Sequence, residues 1–595
     1  MTYRAPVRDQ MFILGDVLKI DQYSDLPGFA DASLDVVEQI LNEGAKFCEE
    51  VLAPLNKIGD TQGCRLSADH KVTTPDGFKA AYQTMVEAGW PAIGSEAEFG
   101  GQGLPAVVTL AYSEMSSSAN MAFSMYPGLT HGCYSAILAG GSDAQKALYL
   151  PKLATGQWGG TMNLTEPHCG TDLGLLRTKA VPQADGSYQI TGQKIWISGG
   201  EHDMAENIVH LVLARIEGAP PGVKGISLFI VPKHLPDANG NPGERNPANC
   251  VGLEEKMGIH GNATCVMAYD QAKGWLIGEE NNGLKIMFVM MNEARLGVGL
   301  QGLSQGEAAY QGAVAFAKDR LQGRSLTGPK NPSGPADPII VHPDVRRMLM
   351  ESKCLLEGGR AFLLWTALHG DLAHKSPDLE FKQKAHDYMG LMTPVLKGFF
   401  TDKGFKIASD SLQVHGGSGF TEHYAASQYL RDVRITLIYE GTNGIQALDL
   451  VGRKLAANGG RAVMSFFAEI DGFIAENEAD QGLKVYIDGL RDTKALLQDG
   501  TMWLMQNGLQ NPDNAGAASS DYLHLFGLTG TAYMWALMAK AALAKIAAGN
   551  TDPLYRDKLI TGQFFVERLL PDAPSHLAKL KTGSATMMAL SADSF

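Results

Sequence analysis

The sequence predicts a mainly helical chain with a small β domain in its middle and an extra helical block at its C-terminus. Three observations predict it. Apolar residues recur at helix spacing from Ser33 to about Gly159, and again from Asn282 onward. Between Thr161 and Ile277 the text turns to β-branched runs, YQITGQKIWIS, NIVHLVLARI and GISLFIVP, separated by Gly, Pro and Asn turns. Beyond Ala456 the pattern stays helical, without internal repeat or low-complexity tract.

Residues 1–35 form an extension rich in aromatics and proline (Tyr3, Pro6, Phe12, Tyr23, Pro27), expected to pack on the body. Residues 36–160 read as a helical domain, with Val36, Val37, Ile40 and Leu41 at helix spacing and the connector GWPAIGSEAEFGGQGLP from Gly89. Residues 161–281 form the β domain, sandwich- or barrel-like. Residues 282–455 carry long helical patterns over Leu284–Arg320, Val345–His369, Phe381–Leu412 and Gly444–Leu455. Residues 456–595 are a further helical domain, with turns at Asn507–Gly516 and Gly549–Pro553.

A chain of 595 residues, 45% of them apolar, can bury large cores in several units. Its formal net charge of −14 opposes a main role on nucleic acid or an anionic membrane. The seven cysteines are scattered and contain no CxxC pair, which fits a reducing compartment and gives no metal site. No secretory leader and no apolar run of membrane-spanning length is read, so the expected location is cytoplasmic.

The most informative stretch runs from Gln413 to Gln446, QVHGGSGF and then LRDVRITLIYEGTNGIQ. One carboxylate, Glu440, lies between Tyr439 and Gly441. Burial in an apolar slot raises a carboxylate's pKa and readies it as a base; an isolated Glu is more often a structural acid that caps or pairs nearby, and the neighbouring motifs reverse those odds. Gln413, Gly416 and Gly417 form a polar spot with little side chain, where a ligand can meet the backbone. Thr442 or Asn443 can N-cap the following helix, whose buried stripe reads as Ile445, Leu448, Val451 and Leu455.

Four other motifs join it. In MNLTEPHCGTDLG from Met162, Asn163 and Thr165 share a strand face, and the turn beyond offers free N–H groups and the Thr171 hydroxyl. An ordinary β-turn gives the same text. In TGQKIWISGG, alternation sends Ile195 and Ile197 to the core and leaves Trp196 and Ser198 outward, for a flat aromatic ligand or for interdomain packing. In MNEARLGVGLQG, Arg295 sits among small residues as an anion contact or an interhelix salt bridge. In AKDRLQGRSLTGP, Arg320 and Arg324 flank a helix end, suited to pyrophosphate or to solvent.

Together, in this order, TEPxxGxD, GQKxWIS, QxxGGxGF and RDxxIxxIYEGTNGIQ resemble the acyl-CoA dehydrogenase flavoproteins over roughly residues 36–455. The resemblance implies a helical N-domain, a β middle domain, a four-helix C-domain and non-covalent FAD between them. It implies Glu440 as catalytic base, Thr165 and Ser198 as donors to the flavin ring, and Trp196 as its flanking aromatic. Thr171 is implied near the pyrophosphate, Arg320, Gln413, Gly416 and Gly417 at the adenosine-diphosphate portion, and Thr442 near the same cofactor. The last three of the adenosine-diphosphate set act across a subunit interface in that family. Arg295 and Gly441 are implied at the substrate.

Some relatives place the base immediately before the arginine matched by Arg295. Here that residue is Ala294, which strengthens Glu440. The chain departs from the family in lacking Phe in the DRLQG motif and in having Gly444 where Gln is usual. The implied partners are an acyl-CoA substrate, an electron-transfer flavoprotein and a second copy, a homodimer being expected of long members. Within the family the chain is most similar to the bacterial members that oxidise 3-(methylthio)propanoyl-CoA in dimethylsulfoniopropionate breakdown. The same text is open to straight-chain specificity or to an acyl-CoA oxidase. A DNA-associated flavoprotein is disfavoured because the block beyond Ala456 is acidic, with Glu476, Glu478, Asp480 and Asp488.

Overall fold

The computed structural model describes residues 3–595. The N-terminal extension packs on the body, as its composition predicts. Helix α1 (Val7–Met11) continues into a wide turn that buries Phe12, Ile13 and Leu14, and Ile20 and Phe29 join the same core. The helical domain follows: α2 (Leu34–Lys46), α3 (Ala53–Gln62), the short strands β1 (Arg65–Leu66) and β2 (Val72–Thr73), then α4 (Phe78–Glu87), α5 (Ala106–Ala119), α6 (Met121–Gly140) and α7 (Asp143–Ala154). Ser142 opens α7 with a capping box to Gln145, which satisfies two otherwise orphaned backbone donors.

The β domain comprises β3 (Trp158–Asn163), β4 (Lys179–Pro182), β5 (Tyr188–Ser198), β6 (Asn207–Ile216), β7 (Ser227–Pro232), β8 (His234–Pro236), β9 (Pro242–Arg245), β10 (Ala248–Leu253) and β11 (Thr264–Ile277). The strand order is β10-β11-β5-β4-β6-β3, and β7 pairs with both β11 and β6. Strands β11, β5, β4, β6 and β7 thereby close a ring, so the domain is barrel-like. Alternation along β6 serves two cores. Val212, Ala214 and Ile216 join the core formed with Ile190, Phe229 and Val231, while Val209, Leu211 and Leu213 pack with Ile137, Leu150 and Leu153 of α6 and α7.

The bundle is α8 (Gly283–Asp319), α9 (Pro343–Lys375), α10 (Leu379–His415) and α11 (Ala426–Val433), followed by α12 (Asn443–Asp449). The C-terminal block is α13 (Arg461–Asn477), α14 (Lys484–Asn507), α15 (Pro512–Ala547), α16 (Pro553–Arg568) and α17 (Asp572–Leu580). Helix α15 is its axle: it packs on α14, α16 and α17 and also touches α9, α10 and α12. A helix surrounded in this way is apolar over much of its circumference. Among the described residues, no helix is long and apolar enough to cross a membrane.

Buried charges lock these parts together. Arg360 of α9 pairs with Asp9 of the extension, Glu114 of α5 and Glu307 of α8, and Lys558 of α16 pairs with Asp9 and Glu357.

Candidate active site

Glu440 lies in the turn between the short 3-10 helix Arg434–Leu437 and α12. It is half-buried and holds φ +57°, an uncommon conformation for a residue with a Cβ. Gly441 follows with φ +87°. A Cβ on Gly441 would lie 2.8 Å from the Gln446 amide nitrogen, and that amide donates to the carbonyl oxygens of Glu440 (3.0 Å) and Gly441 (3.1 Å). Two successive positive-φ residues, pinned by one glutamine, shape the turn that carries the Glu440 carboxylate. Strain of this kind clusters at functional sites.

Burial pushes the Glu440 carboxyl up to about 6, and the nearby charges of Arg295 and Lys397 pull against it. Arg295 is itself buried. It donates to Asp449 at 3.1 Å, and its Nε has no partner among the described residues. Its position makes it a countercharge to Glu440, and Asp449 absorbs part of the anion-binding capacity expected of it. Glu293, one residue before Ala294, is 45% exposed and faces His131 at 4.0 Å. Lys397, buried in α10, donates to the Gly441 carbonyl (2.8 Å) and to Asn443 Oδ1 (2.9 Å). Burial lowers its pKa to about 7, with Glu440 and Asp402 opposing the shift. Tyr439 and Ile435 pack against Met121, Ala122 and Met125 of α6 and against Ile259, which sets an apolar wall beside the carboxylate.

The second wall is the β domain. Strand β3 stops at Asn163, so Thr165 lies in the turn beyond it and not on the strand face expected. The Ile195 amide donates to the Thr165 carbonyl at 3.0 Å, which joins the TEP and GQK segments. A bulge corrects the predicted alternation. Ile195 and Trp196 stand opposite the single position Val266, because Cys265 pairs Ile197 and Met267 pairs Lys194. Lys194 and Ile197 are the buried residues, and Ile195 is only half-buried. Trp196 takes φ +59° at the bulge and is 61% exposed, with Ser198 half-buried two residues on. Lys194 Nζ donates to the Leu164 carbonyl and to Glu166, both at 2.9 Å, and so stiffens the TEP turn. Donors of Glu166, His168 and Cys169 converge within 4.8 Å, but the Glu166 carboxylate is already committed to Lys194, Thr178 and the Arg177 amide.

The remaining predicted residues gather at the far end of the bundle. Phe316 of α8 stacks near His415 at the end of α10, with ring centroids 4.6 Å apart, so Arg320 and the His415–Gly416 turn are neighbours. Gln413 lies 16 residues along α10 from Lys397, about 24 Å at 1.5 Å per residue. Arg320, Gln413, Gly416 and Gly417 are all exposed, beside Phe420 at 86% exposure. Arg324 is not available to a ligand in the way expected: Asp337 and the Asn331 and Gly334 carbonyls hold it within its own loop. Thr171 is exposed. Thr442 occupies the N-cap of α12 without a side-chain cap bond, and Asn443 turns back to α10 instead of capping. The expected stripe on α12 also shifts: Gln446, Ala447 and Leu450 are buried, and Leu448 is exposed.

The spare groups of these segments suit a flavin. Among the described residues, the hydroxyls of Thr165, Ser198, Thr171 and Thr442 and the side chains of Arg320 and Gln413 make no hydrogen bond within the chain. An exposed indole flanks two spare hydroxyl groups, and a Cβ on Gly416 or Gly417 would meet nothing within 4 Å. These are stacking and hydrogen-bonding groups without protein partners.

Comparison with known proteins decides the family. Models for the acyl-CoA dehydrogenase N-terminal, middle and C-terminal domains match residues 36–157, 161–272 and 281–455, and an acetyl-CoA dehydrogenase C-terminal-like model matches 466–591. The chain belongs to the acyl-CoA dehydrogenase family. It is an FAD-dependent oxidoreductase acting on an acyl-CoA. It is 44% identical to the 3-methylmercaptopropionyl-CoA dehydrogenase of Ruegeria pomeroyi, over 99% of this chain and 100% of that one. It is 36% identical to the broad-specificity linear acyl-CoA dehydrogenase FadE5 of Mycobacterium tuberculosis, over 100% of both. An acyl-CoA dehydrogenase of Bacillus anthracis, solved with FAD, shares the fold, with a TM-score of 0.74 at 21% identity, covering 92% of this chain and 88% of that one.

Sequence reasoning missed Lys397, Gln446 and Lys194, and gave Asn443 only a capping role. The signal for Lys397 was a lone cation in the apolar run TPVLKGFF. Its partners are 44 and 46 residues away, and only the fold brings them in.

Proposed function

We propose that this enzyme oxidises 3-(methylthio)propanoyl-CoA to 3-(methylthio)acryloyl-CoA in dimethylsulfoniopropionate breakdown, with Glu440 as the base. The observation that carries the substrate is the 44% identity, over essentially the whole of both chains, to a relative named for that substrate. The base assignment is supported by the raised pKa of Glu440, by its place between Arg295 and Lys397, and by the apolar wall of Met121, Met125 and Tyr439.

Glu440 removes the proton on the carbon next to the thioester carbonyl. A carboxylate near 6 is ionised at neutral pH and still basic enough to accept that proton. The backbone N–H of Glu440 donates to the thioester oxygen as negative charge gathers there. Thr165 and Ser198 hold the flavin edge, Trp196 flanks it, Thr171 and Thr442 lie along the same cofactor, and Arg320 serves an adenosine-diphosphate portion at the far end of the bundle. Bound FAD supplies the acceptor for the hydride that leaves the β-carbon. A sulfur on that carbon favours hydride departure, since its lone pair stabilises positive character and the product is conjugated. The thioether also suits methionine and aromatic walls.

Gln413, Gly416 and Gly417 serve the cofactor of a second copy in a homodimer, a reading supported by their exposure beside Phe420. Electrons pass on to an electron-transfer flavoprotein in the cytoplasm, where seven free cysteines are at home.

A second reading, broad straight-chain specificity, is favoured by the full-length likeness to FadE5. Anaerobic bleaching of the flavin by 3-(methylthio)propanoyl-, butanoyl- and octanoyl-CoA separates the two. Fastest bleaching by the methylthio ester is expected. Preference for a straight chain would leave the dehydrogenase and discard the sulfur substrate. Rapid peroxide formation in air would point to an oxidase.

A further inference from the structure

The C-terminal helical block reaches the catalytic turn through a continuous line of hydrogen bonds. His524 of α15 lies with Nε2 3.0 Å from Asp402 Oδ2 on α10. Asp402 Oδ1 accepts from Asn443 Nδ2 at 2.8 Å. Asn443 Oδ1 accepts from Lys397 Nζ at 2.9 Å, and Lys397 Nζ donates to the Gly441 carbonyl at 2.8 Å. The Thr401 hydroxyl and the Gly398 carbonyl take the second Asn443 proton, so this amide is locked in one orientation.

The helices that carry the line are in close contact there. A Cβ on Gly398, next to Lys397, would lie 2.7 Å from a Leu523 methyl, and a Cβ on Gly527 would lie 2.3 Å from the Phe399 ring. Pro394, one turn before Lys397, leaves α10 without one of its own backbone hydrogen bonds at this level. His524 is further held by the edge of Phe399, with centroids 5.7 Å apart, and by a stacked His576 at 5.3 Å that bonds Asp521 at 2.7 Å. The cation at the end of the line is one of two facing Glu440, the other being Arg295 of α8.

We propose that this line is a positioning device through which the C-terminal block takes part in catalysis. His524 fixes Asp402, Asp402 and Asn443 orient the Lys397 ammonium, and Lys397 sets the position of Gly441 and the electrostatic surroundings of Glu440. His524, Asp402, Asn443 and Lys397 are positioning residues; none of them needs to touch substrate. The inference rests on Glu440 being the base, and one of its readouts does not.

The experiment compares purified holoenzyme with His524→Ala, the conservative His524→Gln, and a control, Lys581→Ala, which removes a surface pair with Asp499 in the same block. Hydrogen exchange of residues 437–447 is measured without substrate. It should quicken in His524→Ala, not in Lys581→Ala, and return toward wild type in His524→Gln. Flavin reduction is then followed across pH. The limiting rate of His524→Ala should fall by about tenfold or more, as small misplacements do, with the concentration of half-saturation within about twofold. Its acid limb should move up as Lys397 loses its fixed place.

Asp402→Asn gives the same readouts if His524→Ala does not fold. Exchange and acid limb identical to wild type in the relay variants, with only a lowered melting temperature, would overturn the proposal. Quickened exchange with no flavin reduction by any acyl-CoA in wild type would keep the coupling and sink the reading of the reaction.

Discussion

The Ile195 amide donates to the Thr165 carbonyl at 3.0 Å, and this bond joins the two hydroxyl-bearing segments proposed to face the flavin. The next residue back, Lys194, is fully buried and pairs with Glu166, which ties the same two segments from behind. Lys194→Met leaves Glu166 a buried carboxylate without its cation. Removing one member of such a pair costs about 3–5 kcal/mol. The variant should melt well below wild type and lose FAD on gel filtration. Wild-type FAD content in that variant would show that the pair does not hold the wall.

The proposed base gives a direct prediction. Glu440→Gln keeps shape and size but cannot accept the α-proton. The loss of a general base is worth about 10²–10⁴-fold, so flavin reduction should become slow while the purified protein stays yellow. Colour loss with retained specific rate in the residual holoenzyme would move Glu440 from chemistry to cofactor retention.

The pH dependence follows from the direction of the shift. Burial raises the Glu440 carboxyl to about 6 against the pull of Arg295 and Lys397. The reactive form is the carboxylate, present above that value and lost as pH falls through it. The limiting rate of flavin reduction should therefore rise through about pH 6. Lys397→Met removes one of the two opposing cations, so its acid limb should lie higher. A limb at or below wild type in Lys397→Met would remove Lys397 from the electrostatics of the base.

The N-terminal extension is held chemically as well as by apolar contact. Burial would raise the Asp9 carboxyl, but Lys558 and Arg360 more than offset it and hold it at about 2. A depressed carboxylate contributes stability that is present above its unfolded pKa and lost as pH falls toward its folded value. Asp9→Asn should destabilise the protein at neutral pH by about 3–5 kcal/mol. The gap to wild type should narrow as the pH is lowered from about 4 toward 2. A pH-independent gap in denaturant unfolding would trace the cost to packing instead.

Much of this architecture was legible in the sequence because periodicity reports it. The change from helix to strand spacing near Trp158 and back at Gly283, and the turns before Pro512 and Pro553, all fall where composition shifts. The five motifs resembled one family, and the family models agree. What was not legible depends on backbone geometry or on distant partners. A two-residue period cannot foresee the bulge at Ile195 and Trp196, and the core position passes to Lys194, a charged residue made tolerable by Glu166 28 residues earlier. The α12 stripe holds only in part for a related reason: Leu455 is buried as read and Leu448 is exposed, while Gln446 and Asp449 are buried because they hold the turn and Arg295.

Gln446 gives the last prediction. Its amide bonds two consecutive carbonyls, those of Glu440 and Gly441, and keeps both residues at positive φ. Gln446→Leu preserves apolar volume at a buried site but releases both carbonyls. Glu440 pays for its strained φ only while the turn is held, a cost of order 1–3 kcal/mol. The released turn should relax toward an extended backbone, swinging the carboxylate from the substrate. Flavin reduction should fall by about tenfold to a hundredfold, with FAD content and half-saturation near wild type. Gln446→Glu, isosteric but with no N–H donor, should fail in the same way. Gln446→Asn, shorter with the donor retained, should recover part of the rate. Equal rates in all three variants would show that the turn holds itself and that Gln446 is only filling space.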